Sequence, residues 1–240
     1  MKKSVFLSIG LAFMAITFTA AQDLDEILKN HFEAIGQEKL VNYKSMQASG
    51  KAMVQGMEMP IKIATKRPDK MRIVVEFQGS EIVSAYDGET AWSINPMTGS
   101  ADPVEVTGPE ADGLIESADM DGQLWNYKEK GHQMELEGSE EWEGTEVYVL
   151  KLTKKNGNID HYYLDVDSYL IVRVKSITIM NGSEVESGVL LSNYQEVEGT
   201  LIPFSTEQIY GGQTTMTLLL EEISYDVELE DAIFSKPAGN

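Results

Sequence analysis

Residues 57–63, MEMPIKI, and residues 71–77, MRIVVEF, decide the fold class of this chain. Every second residue in both segments is apolar: Met57, Met59, Ile61, Ile63, Met71, Ile73, Val75 and Phe77. A period of two is typical of half-buried antiparallel strands, which turn one face to a core and the other to water. The pattern alone does not say which set faces inward, because a slip of one residue in register reverses every side chain.

Turn signals separate these runs from others like them. They fall at Gln55-Gly56, Asp87-Gly88, Asn156-Gly157 and Asn181-Gly182, and the last three are Asx-Gly pairs that suit tight hairpins. In the second half the sequence predicts strands at residues 145–153, 159–164, 170–180, 185–194, 201–210 and 214–223. The total is about ten or eleven strands, and hairpin after hairpin indicates a meandering sheet.

Two segments are predicted to be helical. From Asp23 to Gly36 the apolar residues recur at helical spacing, with Asp23 and Glu26 placed as a capping box and Gly36 at the end. A second candidate, residues 109–118, interrupts the strands. Helices with one apolar face need the apolar face of the sheet, so we predict a mainly β (α+β) domain over residues 22–240, a curved antiparallel sheet whose concave side the helices cover.

Residues 1–21 have the pattern of a secretory signal peptide. Lys2 and Lys3 precede an apolar run from Val5 to Phe18, and small residues at 19–21 predict cleavage before Gln22. The alternative is an uncleaved anchor, but the run is short for a membrane span, which needs about 20 residues. The chain has no cysteine that could be lipidated, so we expect an exported, periplasmic protein that is not membrane-anchored.

Composition argues against several classes of function. A net charge of −20 disfavours nucleic acids and anionic membrane surfaces as partners. The absence of cysteine excludes thiol catalysis, and His31, His132 and His161 are too far apart in sequence to predict a metal site. No nucleophile elbow, zinc-protease motif, phosphate loop or dinucleotide fingerprint is present. We therefore expect no enzyme, cofactor or metal.

Acidic clusters leave an enzymatic alternative open as the third choice, a hydrolase that uses scattered carboxylates. Asp119-Met120-Asp121-Gly122 supplies only part of a calcium loop, so solvated loop charge is the preferred interpretation. The methionines are also ambiguous. Ten of the twelve lie after residue 21, and flexible polarizable side chains suit a surface that binds variable apolar ligands, although they also serve as ordinary core residues.

The segment from Ile61 to Pro96 carries motifs of a known family. Lys66-Arg67-Pro68 ends one strand, and about twenty residues later Asp87-Gly88-Glu89-Thr90-Ala91-Trp92 leads to Asn95-Pro96. In this order and spacing the motifs resemble the periplasmic lipoprotein carrier family LolA and its LolA/LolB-like relatives, known as outer-membrane lipoprotein-sorting proteins. The resemblance implies an incomplete antiparallel β-barrel whose open side is covered by helices, with an apolar cavity between.

That resemblance implies a carrier or chaperone that binds the acyl chains of lipoproteins and moves them toward the outer membrane. The candidate cavity residues are the eight alternating residues of segments 57–63 and 71–77, together with Trp92. Arg67 matches the family arginine that contacts the helical lid and keeps the empty cavity closed; otherwise it is a plain cation at a strand end. Trp92 has core packing as its alternative role.

Expected partners are lipoproteins or other acylated ligands, and a membrane acceptor or release complex that the sequence does not identify. The protein is expected to act as a monomer. An alternative function is a periplasmic regulatory or sensor domain of the same fold, whose surface binds a protein partner or another lipophilic ligand. Fold resemblance alone does not choose between them.

Overall fold

One antiparallel sheet contains all the strands of the computed structural model, which describes residues 23–180 and 183–238. The strands are β1 (Ser45–Val54), β2 (Met57–Lys66), β3 (Lys70–Phe77), β4 (Ser80–Tyr86), β5 (Ala91–Ile94), β6 (Val104–Glu105), β7 (Gln133–Trp142), β8 (Thr145–Thr153), β9 (Ile159–Asp165), β10 (Ile171–Met180), β11 (Ser183–Val197), β12 (Thr200–Tyr210) and β13 (Gln213–Tyr225). The predicted signal peptide and the predicted Asn181-Gly182 turn lie outside the described residues.

The order across the sheet is β6-β5-β4-β3-β2-β1-β13-β12-β11-β10-β9-β8-β7. Only the pairing of β1 with β13 departs from sequence order, and it joins the first strands of the chain to the last. The sheet is open, and together with the helices it forms the incomplete barrel that the sequence predicts. The meander of hairpins is confirmed.

The described residues contain thirteen strands, two more than the upper prediction. β6 has two residues, too few to show a period. β1 lacks a clear apolar alternation because its inward positions carry the small residues Ala48, Gly50 and Ala52. A side chain at Gly50 has no room, since its Cβ would lie 2.1 Å from the carbonyl oxygen of Leu219 in the neighbouring strand.

The α-helices of the described residues are α1 (Leu24–Ile35), α2 (Gln37–Leu40) and α3 (Pro109–Ala118). α1 begins and ends where the sequence predicts. The Asp23 carboxylate accepts a 2.8 Å hydrogen bond from the Glu26 amide, and Gly36 ends the helix with φ of 71°. Gly36 packs directly on the carbonyl of Gly199, which fixes the corner between α1 and α2 against the β11–β12 turn. None of these helices is long and apolar enough to cross a bilayer.

Within the described residues, the two-residue hairpins do not use the predicted pairs Asp87-Gly88 and Asn156-Gly157, and the third predicted pair, Asn181-Gly182, lies outside those residues. Two-residue turns with positive φ at both positions occur at Gln55-Gly56, Gln78-Gly79, Glu143-Gly144 and Glu198-Gly199. Such turns match the twist of the flanking strands, and glycine adopts the positive φ of the second position without steric cost. Asp87-Gly88 and Asn156-Gly157 instead lie in longer turns between β4 and β5 and between β8 and β9.

Two separate apolar cores lie under the helices. The α1 core joins α1 to β7, β8 and β9 and contains Ile27, Leu28, Leu124, Met134, Leu150, Leu152, Tyr162 and Leu164. The α3 core joins α3 to β3, β4 and β5 and contains Met71, Tyr86, Ala91, Ala111, Leu114 and Ala118. Each helix therefore covers a different part of the sheet.

Candidate ligand-binding site

The strand registers place all eight alternating residues of β2 and β3 on one face of the sheet. Ile61 pairs with Val75, and Ile63 pairs with Ile73. Ile63 and Ile73 also pack against the α3 core, so this face is the one that α3 covers. The sequence could not choose between the two possible sets, and the structure shows that the apolar set faces the helix.

The same face continues across the sheet to α1. Leu218 of β13 pairs with Ala52 on one side and with Thr206 on the other. Further along, Val189 of β11 pairs with Val174 of β10, which packs against the α1 core. Both helices therefore lie on one face, which we call the inner face.

Between the two helices the inner face is apolar and half-buried. Nine of its side chains, which we call the open patch, belong to neither core within residues 23–180 and 183–238: Met59, Val75, Phe77, Ile82, Val189, Leu191, Met216, Leu218 and Leu220. Thr206 and Gln208 of β12 lie on the same face, between the β13 and β11 members of the patch. Clustered, partly exposed apolar side chains of this kind are typical of binding surfaces in soluble proteins. Four of the predicted residues, Met59, Val75, Phe77 and the more exposed Met57, lie in or beside this patch.

The opposite, outer face of the same strands is charged. Lys51 of β1 lies 3.7 Å from Glu58 and 3.4 Å from Glu221, and Lys62 lies 3.3 Å from Glu76. Exposed pairs of this kind add little stability but keep the face solvated. Apolar character in this part of the sheet is therefore concentrated on the inner face.

Trp92 does not join the other cavity candidates. It pairs with Ala85, packs with Val83 and Ala85 on the outer face, and has no exposed surface. Its indole Nε1 donates a 2.7 Å hydrogen bond to the carbonyl oxygen of Phe234. Trp92 thus anchors the C-terminal segment to the outer face of the sheet.

Arg67 links three separate segments at the end of β2. Its guanidinium forms a two-pronged ion pair with the carboxylate of Asp121, with one Nη1–Oδ2 distance of 2.9 Å. It also donates to the carbonyl oxygens of Tyr43 at 2.7 Å and Leu40 at 3.1 Å. Since Asp121 lies just after α3, Arg67 holds the connection that follows this helix against the α2–β1 connection.

A second ionic cluster, which the sequence analysis missed, ties α3 to the other half of the sheet. The buried ammonium of Lys154 lies 2.8 Å from Glu116 of α3 and 2.8 Å from Asp160 of β9. Burial lowers the pKa of Lys154, but the hydrogen bonds that its ammonium donates to Asp160 and Glu116 outweigh this effect and raise the pKa above its ordinary value. The only sequence signal was a pair of lysines before a turn.

The candidate calcium fragment is engaged in protein contacts. Asp119 pairs with Lys130, and Asp121 pairs with Arg67. Among the described residues no group of three or more His, Asp or Glu side chains is arranged to hold a metal ion. The two carboxylates act here as anchors for the segment between α3 and β7.

Two buried histidines hold loops to the core. His31 Nδ1 lies 2.7 Å from the carbonyl oxygen of Tyr169, and burial lowers the pKa of His31. His132 Nδ1 accepts a 3.1 Å hydrogen bond from the Lys155 amide. Burial also lowers the pKa of His132, and so do the nearby charges of Lys130, Lys154 and Lys155.

A groove of about 750 Å³ lies between α1 and residues 124–129. Its apolar floor is formed by Leu28, Phe32, Leu124, Trp125 and Tyr127, and its rim carries charges of both signs. The rings of Phe32 and Trp125 meet edge to face at 4.9 Å. This groove is separate from the open patch.

Solved structures share this architecture. A DUF1329 family protein from Desulfovibrio piger has a TM-score of 0.62 at 14% identity, over 87% of this chain and 97% of the other. A domain classed as an outer membrane lipoprotein-sorting protein from Vibrio parahaemolyticus and a LolA superfamily protein from Nitrosomonas europaea both have a TM-score of 0.59. Their identities are 13% and 15%, and each comparison covers 88% of this chain and 97% of the other.

No protein-family model and no curated protein matches the sequence. At such low identity the structural matches establish the fold and leave the activity to be argued from the site. They agree with the strand order, the helical cover and the open sheet described above. The chain has the LolA-like fold that its Lys-Arg-Pro and Asp-Gly motifs predict.

Proposed function

We propose that the protein is a periplasmic carrier that binds acyl chains of lipoproteins on its inner face and moves them toward the outer membrane. The observation that carries this proposal is the open patch, an apolar surface left between two helices that each cover another part of the sheet. The charged outer face offers an acyl chain no comparable surface. The chemistry is binding and release, without a covalent step.

The free energy of such binding comes from removing two apolar surfaces from water. Each CH₂ group buried is worth about 0.8 kcal/mol, so a long acyl chain gains several kcal/mol even after the cost of its immobilisation. The half-buried side chains of the patch gain as well. Its methionines suit a ligand of variable shape, since their side chains are flexible and polarizable.

Two further observations support transport through the periplasm. The N-terminal sequence has the pattern of a signal peptide, and the chain has no cysteine for lipid attachment. One structure with this fold is named for outer membrane lipoprotein sorting. We therefore expect an exported monomer that passes its ligand to a membrane acceptor.

Release of an acyl chain requires a segment that moves, and we assign this role to α3 with its following connection. Arg67 is the gate residue of this proposal. Its ion pair with Asp121 holds the connection closed, and it ties the same connection to the end of α2 through two carbonyls. Separation of Arg67 from Asp121 loosens the connection after α3, while the pairs Asp119–Lys130 and Glu116–Lys154 keep the helix end attached.

A matched pair of variants in β13 tests the proposal. Leu218 belongs to the open patch, whereas its neighbour Leu219 pairs with Lys51 and Ser205 on the outer face. Both are leucines of the same strand with similar burial. Leu218→Glu should abolish binding of a fluorescent fatty-acyl probe by the purified protein, and Leu219→Glu should leave it within a factor of two or so.

Equal loss in both variants, with both still folded, would contradict binding at the inner face. Absence of any uptake of the probe and of a purified lipoprotein by the unmodified protein would reject the carrier function. Circular dichroism and unfolding curves provide the folding control.

The groove beside α1 favours a second candidate function, recognition of a protein partner. Its aromatic floor and charged rim suit an apolar protein segment. A partner that stays bound after its acyl chains are removed, and is lost on Trp125→Ala, would favour this regulatory function. A complex that depends on the acyl chains and survives Trp125→Ala would favour the carrier.

A further inference from the structure

The inner face has two unlike ends. At one end, which we call the helix end, Met71 is 6% exposed and Tyr86 is 9% exposed, both under α3. At the other, which we call the hairpin end, Met57 and Tyr210 are each 47% exposed. Exposure of apolar side chains therefore rises along the strands from the helix end to the hairpin end.

Within the described residues, three hairpins with apolar inner-face side chains lie at the hairpin end, because β1 lies between β2 and β13 and pairs with both. The β1–β2 turn carries Met57 beside it, the β3–β4 turn follows Phe77, and the β12–β13 turn follows Tyr210. Alternation along each strand puts these three side chains on the inner face. We call these three side chains the lip, and one of them, Phe77, also belongs to the open patch.

The lip lies in uncharged sequence. Residues 53–57, 77–80 and 208–220 contain no charged side chain, although charged residues make up 24% of the chain. The helix end differs in charge: the β2–β3 turn carries Arg67 and Asp69 between Lys66 and Lys70 at the strand ends, and the β4–β5 turn carries Asp87 and Glu89. The helix end is therefore more highly charged than the hairpin end.

Direct contacts also close the helix end. Arg67 and Asp121 are paired there, and the rings of Tyr43 and Tyr225 stack at 4.2 Å. The Tyr225 hydroxyl lies 2.9 Å from Thr200 Oγ1, and Ala118 of α3 is fully buried. An acyl chain could enter there only by breaking several of these contacts at once.

We propose that the hairpin end is the mouth of the site, through which an acyl chain enters with its methyl end leading toward Met71 and its polar head left between the hairpin tips. This inference rests on the proposed function and adds the direction of binding to it. The uncharged polar groups of Gln55, Gln78 and Gln213 lie at the tips and offer hydrogen bonds to the head of the ligand. The ion pair between Arg67 and Asp121 then limits how far the acyl chain extends toward the helix end.

Nitroxide-labelled stearic acids test the direction without changing the protein. Met71 pairs with Thr65, eight residues along β2 from Met57, so the two methionines lie about 26 Å apart along the strand direction. Their methyl signals, with carbon-13 labelling, are assigned from Met57→Leu and Met71→Leu. A nitroxide on carbon 5, near the carboxylate, should attenuate the Met57 signal more than the Met71 signal. A nitroxide on carbon 16 should do the opposite.

Reversed attenuation would overturn the inferred direction while leaving acyl binding intact, and equal attenuation by both labels would also overturn it. Unlabelled stearic acid provides the separate control for binding. If it shifts no methionine signal and displaces no fluorescent acyl probe, the proposed function fails and this inference fails with it. The control and the direction test are read from different signals, so the two failures are distinguishable.

Discussion

The inner face carries leucines in two regions that differ in how deeply these side chains are buried. Under α1, Leu150, Leu152 and Leu164 have no exposed surface, because the helix and Leu124 close over them. In β13, Leu218 and Leu220 lie on the same inner face, on either side of the outward Leu219, but remain partly exposed. The difference shows that side-chain orientation sets which face a residue joins, whereas the placement of a helix sets whether that part of the face is a closed core or a partly exposed apolar surface.

Lys154→Ala should have the largest effect, because it disconnects α3 from the half of the sheet under α1. The variant leaves the carboxylates of Glu116 and Asp160 without their shared cation, which should cost about 3–5 kcal/mol of unfolding free energy. Urea unfolding of the variant measures this loss of free energy. The neighbouring exposed Lys155→Ala is the matched control and should change little; equal losses in the two variants would show that the buried cluster does not join the halves.

Leu152→Ala should cost about 2–5 kcal/mol, since it leaves a cavity in a closed core. Leu218→Ala, the same change in the open patch, should cost about 1 kcal/mol or less because its side chain is already partly in water. The two unfolding curves give this comparison directly. Similar destabilisation by both changes would mean that the central region is packed like the α1 core.

Arg67→Leu should lower stability by about 1–3 kcal/mol, because the half-buried Asp121 carboxylate and two carbonyls lose their donor. Its larger consequence should be faster release of a bound acyl probe, measured by stopped-flow competition. Arg67→Lys keeps the charge but not the bidentate geometry. Its rate of probe release should therefore lie between that of the unmodified protein and that of Arg67→Leu. Unchanged uptake and release in Arg67→Leu would remove the gate role.

The smallest predicted effect is the pH dependence of the unfolding free energy. Burial lowers the pKa of His31 and of His132, so the unfolded chain binds protons more readily than the folded one. Their contribution to stability is complete above about pH 6.5, the ordinary pKa of histidine, and declines as pH falls below it. Unfolding free energies at pH 7.5 and 5.5 should show this decline, and His31→Gln should reduce it. Stability that rises on acidification would contradict the neutral, buried state of these rings.

Much of the fold could be predicted from the sequence because its signals are local. Capping by Asp23, the αL end at Gly36 and the alternation in β2 and β3 each depend on neighbouring residues. β1 was not evident from the sequence, because its inward positions carry small residues and show no apolar alternation. At Gly50 the close approach of β13 leaves no room for a side chain.

The site was harder to predict because it depends on residues far apart in sequence. Arg67 was singled out by its motif, but its partner Asp121 lies 54 residues away. Lys154 and Glu116 meet only because the sheet curls and brings the β8–β9 turn to α3. The open patch also draws five of its nine residues from β11 and β13, and no local pattern in the sequence distinguished the role of these strands.

Methionine methyl shifts on titration with unlabelled stearic acid test the central claim most directly, because both regions contain methionines. Met59 and Met216 belong to the open patch, and Met134 belongs to the closed α1 core. Acyl binding on the inner face predicts saturable shifts at Met59 and Met216 with little change at Met134. Shifts confined to Met134, or no shifts at any of the three, would contradict the account.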